Sequence, residues 1–216
     1  MIIPPRFNGP PNSANGGYVC GLVSEALGCG FEVMLRRPPP LGVDLELVGH
    51  ELKDGDVVIA EARRVPHPDL DTPEPVSVAE AEEASKRFPG FEHHACPTCF
   101  VCGPARDDGL GIFPGPVKGR NGLVAAPWTP KEVRPEIVWA ALDCPGGWAV
   151  DNFQREGVLL GRMATAIAAM PELGRAHVVI GWPAGEDGRK RQAGSALFTD
   201  AGELLAVAHA IWIVPG

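Results

Sequence analysis

Two stretches of the chain carry apolar residues at helical spacing, and each is followed by segments that alternate as half-buried strands do. In the first, Val19, Leu22, Val23, Ala26 and Leu27 share one helical face. Asn12 or Ser13 offers an N-cap after Pro10-Pro11, and Gly28 and Gly30 stop the helix. Strands are predicted over 31–37, 43–48 and 57–64, separated by Pro38-Pro39-Pro40 and Lys53-Asp54-Gly55. A second helix starts near Pro135, a residue suited to a first helical turn. Ile137, Val138, Ala141 and Leu142 give its buried face, and Pro145-Gly146-Gly147 is expected to kink or end it. Four more strands are predicted over 158–167, 177–182, 190–198 and 204–214. Glu186-Asp187-Gly188 and Asp200-Ala201-Gly202 sit between the last three as hairpin turns.

The two halves therefore repeat one plan, helix then strands, without strong identity between them. Each helix is too apolar for a surface position. An antiparallel sheet curled around the helices satisfies both patterns, so the expected fold class is α+β; two unrelated α+β pieces would also fit. The expected division is a first module over 1–66, a linker rich in proline and acidic residues over 67–104, and a second module over 105–216.

Composition narrows the partners. A net charge of −8 argues against nucleic acid or an anionic membrane, both of which need concentrated positive charge. The exception is Arg189-Lys190-Arg191, which reads first as a solvated hairpin edge. No segment approaches the roughly 20 apolar residues of a membrane span. Met1-Ile2-Ile3-Pro4-Pro5-Arg6 lacks the apolar region of a signal peptide, so a cytoplasmic location is expected. The six cysteines are then thiols or metal ligands, not disulfides.

His93, His94, Cys96, Cys99 and Cys102 offer nitrogen and sulfur to zinc, and Cys144 can join from the second helix. Against this, Cys96, Cys99 and Cys102 are packed too evenly for a standard four-ligand site, and no second Cys-x-x-Cys lies at ribbon distance. No metal is therefore assigned. A redox role for Cys99 and Cys102 lacks the βαβ context it would need.

Cys99-Phe100-Val101-Cys102-Gly103-Pro104 followed by Gly109-Leu110, Trp139-Ala140-Ala141-Leu142-Asp143, and the run from Asp187 through Leu197 to Asp200-Ala201-Gly202-Glu203-Leu204 occur in a characteristic order. This half of the chain resembles hotdog thioesterases of the phenylacetate-pathway type. Asn15-Gly16-Gly17-Tyr18 is similar to the first module of larger thioesterase-like proteins. The resemblance implies a hotdog fold in tandem form, a central helix wrapped by an antiparallel sheet. It also implies hydrolysis of an acyl thioester such as an acyl-CoA, without a cofactor, and a homodimer is plausible because hotdog modules pair sheets edge to edge. The departure from the family is specific. A single module opens its helix with a glycine pair and carries an acid several residues later; seven past Gly17 stands Ser24, while seven past Glu136 stands Asp143. Each helix has lost one half of the apparatus.

The chemistry implied divides between the two helices. A helix N-terminus offers unpaired N–H groups to an oxyanion, and glycine lets substrate approach them. Gly17 N–H, with Gly16 and Tyr18 beside it, is the expected oxyanion site. Asp143 is the expected general base, or a nucleophile giving a mixed anhydride. Asn15 is placed with substrate, and Arg189 and Lys190 with the CoA phosphates. Asp143 precedes Cys144-Pro145 and could instead merely cap a helix. Glu25 reads as an exposed helical glutamate, and His209 as a satisfied sheet histidine. A module that binds an acyl ligand without turnover is the alternative function.

Overall fold

A computed structural model describes residues 1–66, 68, 71–150 and 157–214. Three α-helices and ten strands follow in chain order among the described residues: α1 (Gly16–Ala26), β1 (Phe31–Leu35), β2 (Glu46–Val48), β3 (Glu51–Asp54), β4 (Val57–Arg64), α2 (Val78–Ser85), β5 (Gly115–Pro116), β6 (Val124–Trp128), α3 (Pro135–Val150), β7 (Leu159–Ile167), β8 (His177–Asp187), β9 (Lys190–Thr199) and β10 (Leu204–Ile213).

All ten strands join one sheet, in the order β2-β3-β4-β1-β7-β10-β9-β8-β6-β5. The seam between the halves is the antiparallel pair β1–β7, with Val33 opposite Met163. Helix α1 lies against β1 and β7, and α3 lies across β6 to β10. The two helices also pack on each other, and glycine is the reason they come so close. A Cβ at Gly17 would stand 2.6 Å from Asp143 Cβ, and one at Gly21 would stand 2.7 Å from Glu136 Cα. The face of α1 turned to α3 is thus a pair of glycines four apart, beside the valine face formed by Val19 and Val23.

In strand β8 every residue from His177 to Trp182 is buried, although an antiparallel strand often has one wet face. Its two faces meet different cores. Val179 joins the cluster around α1 and α3, whereas Val178 and Ile180 join a second cluster with Ala81 and Ala84 of α2. Helix α2 was not foreseen, yet its start carries a legible capping box. Ser77 Oγ accepts from Glu80 N–H, and the Glu80 carboxylate accepts from Ser77 N–H. The surrounding prolines and acidic residues masked that signal. Strands β3, β5 and β6 were also missed; β3 has four residues and β5 two, too short for a period to register.

One local expectation is corrected, and one is narrowed. The N-cap of α1 is Asn15, whose side chain accepts from Tyr18 N–H, and neither Asn12 nor Ser13 serves. Asn12 sits at φ 63°, and the Ser13 hydroxyl donates to Pro39 O at 3.2 Å. Of the two outcomes expected at Pro145, a kink or an end, the end does not occur, and α3 continues to Val150. Proline leaves helix carbonyls without donors. The carbonyl deprived by Pro145 is that of Ala141, four residues back; one residue on, Ser195 Oγ of β9 donates to Leu142 O at 2.6 Å in the core.

Candidate active site

The start of α1 and the middle of α3 meet at Asp143. Its Oδ2 accepts from Gly17 N–H at 3.0 Å and from Asn15 Nδ2 at 2.8 Å. Asn15 thus does two things with one amide: its oxygen caps the helix at Tyr18 N–H (2.9 Å), and its nitrogen holds the carboxylate. The positive end of the α1 dipole favours a negative charge there. Burial works the other way and dominates, pushing Asp143 up to about 7 against the two hydrogen bonds. The second carboxylate oxygen, Oδ1, is buried and has no hydrogen-bond partner among the described residues.

Asp143 lines a largely apolar cavity of about 110 Å³, room for several water-sized groups. Asn15, Gly16, Trp148, Leu160 and Trp212 line it as well. Gly16 N–H makes no hydrogen bond among the described residues, whereas the two amides after it are engaged. Of the amides expected to receive an oxyanion, Gly17 N–H donates to Asp143 and Tyr18 N–H to Asn15 Oδ1. The Tyr18 ring faces the core, stacked on Phe7 with centroids 4.0 Å apart. Arg189 and Lys190 are exposed at the β8–β9 turn and do not line the cavity. Lys190 pairs with Ile213, the neighbour of the cavity residue Trp212. Ser24 is buried on α1, and Glu25 bonds the Cys29 thiol at 3.3 Å. His209 lies half-buried in β10, and burial lowers its pKa.

No protein-family model matches the chain, and comparison with curated proteins gives no match. Solved structures do match along nearly the whole length. A protein of unknown function with hot dog fold from Alicyclobacillus acidocaldarius superposes with TM-score 0.61 at 11% identity, covering 98% of this chain and 90% of that one. A tesB protein from Mycobacterium avium subs paratuberculosis gives TM-score 0.58 at 14% identity, with 96% and 89% covered. An acyl-CoA thioesterase II from Mycobacterium marinum gives 0.53 at 11% identity, covering 86% and 79%. This chain has the hotdog fold. It is the α+β form with ten strands in a single sheet and two helices, α1 and α3, on its inner side.

Within this hotdog, the cysteine-rich segment reaches the same cavity. Cys99, Cys102 and Cys144 bring their sulfurs within 4.8 Å of one another, and Cys99 Sγ lies 3.7 Å from Cys144 Sγ. His94 Nε2 is 3.3 Å from Cys102 Sγ, and Trp148 Nε1–H donates to that sulfur at 3.4 Å. Hydrogen bonds from the Cys102 and Cys144 thiols hold Cys99 well below the usual thiol range. His94, Cys96, Cys99, Cys102 and Cys144 all line the cavity, while His93 is exposed and apart. Spacing within 93–102 suggested a crowded set. The sulfur that completes it comes from α3, 45 residues after Cys99 in the chain.

Proposed function

We propose that the protein hydrolyses an acyl thioester, with Asp143 as the group that activates the nucleophile. One observation carries the reading: an acid from α3 docks on the N-terminus of α1 at the wall of an apolar cavity. A thioester carbonyl needs a base on one side and hydrogen-bond donors on the other, and this junction supplies both types of group.

As a general base, Asp143 takes a proton from water through Oδ1, the oxygen that has no donor among the described residues. The hydroxide adds to the thioester carbon, and the resulting oxyanion is received by the N–H of Gly16, a cavity residue whose amide has no acceptor among the described residues. Collapse of the tetrahedral intermediate breaks the C–S bond. The thiolate leaves and takes up a proton, and the products are a carboxylic acid and a free thiol. The alternative route, attack by Asp143 itself, forms a mixed anhydride that water then opens. Gly17 N–H and the Asn15 amide fix the carboxylate in either route.

The leaving group we assign is coenzyme A. Arg189 and Lys190, next to the strand register of Trp212, are the cationic groups offered to its phosphates. The resemblance of the whole chain to thioesterases in three dimensions accords with this, although at these identities it speaks for the fold.

The test is a thiol-release assay over a panel of aliphatic and aromatic acyl-CoAs, with Asp143→Asn as the comparison. Turnover by the native protein and its loss in the variant support the reading. Ligand binding without turnover by the native protein would replace it with an acyl-binding module.

A further inference from the structure

We infer that Cys99, Cys102 and Cys144 form a zinc site in the wall of the cavity, with the fourth coordination position facing its interior. Zinc bound by thiolates is tetrahedral with Zn–S of about 2.3 Å, which sets the edge between two sulfurs at about 3.8 Å. The Cys99–Cys144 separation is 3.7 Å, and the third sulfur lies within 4.8 Å of both. The first two ligands come from a tight Cys-x-x-Cys-Gly turn. Gly103 N–H donates to Cys99 O at 2.9 Å, and a Cβ at Gly103 would stand 2.4 Å from Cys99 N. A side chain at Gly103 would collide with the Cys99 backbone, so glycine is what lets this buried turn close with both sulfurs on one side.

The outer contacts fit a metal thiolate. Trp148 Nε1–H points at Cys102 Sγ. His94 is the obvious fourth ligand, and its hydrogen bonds argue against that role. Its Nδ1 accepts from Cys96 N–H at 2.9 Å, which places the ring proton on Nε2 and makes Nε2 a donor toward Cys102 Sγ. A protonated nitrogen cannot bind zinc, so His94 supports a ligand instead of being one. Three protein ligands then remain, with one position left toward the space shared with Asp143. Binding takes a thiolate from each cysteine, and their protons pass to solvent. The ion ties the 99–102 turn to α3 at the residue after Asp143, next to the proline that weakens the helix. The inference does not depend on the hydrolase reading, because it is read out by metal content.

The experiment uses the full chain purified under a reducing agent, with zinc measured by mass spectrometry and cobalt(II) then substituted. Expected are about one zinc per chain and a cobalt spectrum with thiolate-to-metal charge transfer and intense tetrahedral d–d bands. Cys144→Ser is expected to lose most of the metal, while Cys29→Ser, at an exposed thiol, keeps it. His94→Gln is expected to keep stoichiometric metal, and its complete loss would overturn the three-cysteine assignment. Because Cys144→Ser sits in the core, the native cobalt spectrum decides the case if that variant fails to fold. Substoichiometric zinc and cobalt in the reduced native protein, or a Cys99–Cys144 disulfide in their place, would overturn the site.

Discussion

Asp143 and Gly17 stand 126 positions apart in the chain and share a 3.0 Å hydrogen bond in the core of the fold. The contact joins the two central helices and aims a carboxylate along the start of α1. Its consequences can be separated by substitution.

Replacing Asp143 with Asn keeps the shape and lets the side-chain oxygen go on accepting from Gly17 N–H. Folding is expected to survive, with a thermal midpoint close to that of the native protein. Thioester turnover should fall by about 10²–10⁴-fold, the range for removing a positioned base. Steady-state thiol release at saturating acyl-CoA measures it, and retention of kcat would remove Asp143 from the mechanism.

Gly17→Ala tests the close approach. The added methyl would meet Asp143 Cβ at 2.6 Å and Trp139 O at 2.8 Å, so α1 must move away from α3. A loss of about 1–3 kcal/mol in urea unfolding is expected. Gly16→Ala is the control, since its new Cβ would meet only side chains of Leu160 and Leu35, which can adjust. A smaller loss is expected there.

Asn15→Ser separates the two jobs of that amide. Serine is a good N-cap, so the Tyr18 N–H keeps an acceptor and stability should change by less than about 1 kcal/mol. Its short hydroxyl does not replace the amide at Asp143 Oδ2. Activity should therefore drop more than stability does, whereas Asn15→Ala should lower both. Equal activity in the serine and native proteins would show that the amide only caps.

Ser195→Ala removes the hydroxyl that donates to Leu142 O, three residues before the helix proline. Losing one buried hydrogen bond at a carbonyl that can keep its helical partner, Gly146 N–H, costs about 0.5–1.5 kcal/mol. Denaturant unfolding reads that loss directly, and an unchanged midpoint would mean that another group satisfies Leu142.

Much of the framework was legible in the chain. Helix α1 and strands β4, β7, β9 and β10 carry their periods within a few turns, and the structure forms them close to the expected bounds. Asn15, Gly16, Gly17 and Asp143 were singled out by the resemblance and not by local pattern, because glycine before a helix is common punctuation and an acid before Cys-Pro reads equally as a cap. Short-range pattern reports what a segment of about ten residues prefers and which face it hides.

What the amides do was decided elsewhere. The resemblance marked Gly17 as a donor for substrate; folding brought Asp143 against it and left Gly16 N–H without an acceptor among the described residues. The glycine pair Gly17 and Gly21 became a helix contact only because α3 lies across it. The Ser195 hydroxyl of β9 reaches Leu142 O on the helix that holds Pro145, a contact that no local pattern announces. Cys144 joins Cys99 and Cys102 only in the fold, since a separation of 45 positions in the chain carries no trace of the distance between their sulfurs. Hydrophobic periodicity is written in neighbouring residues, but a hydrogen bond or a thiol cluster depends on where remote segments come to rest. That placement is a property of the packed whole.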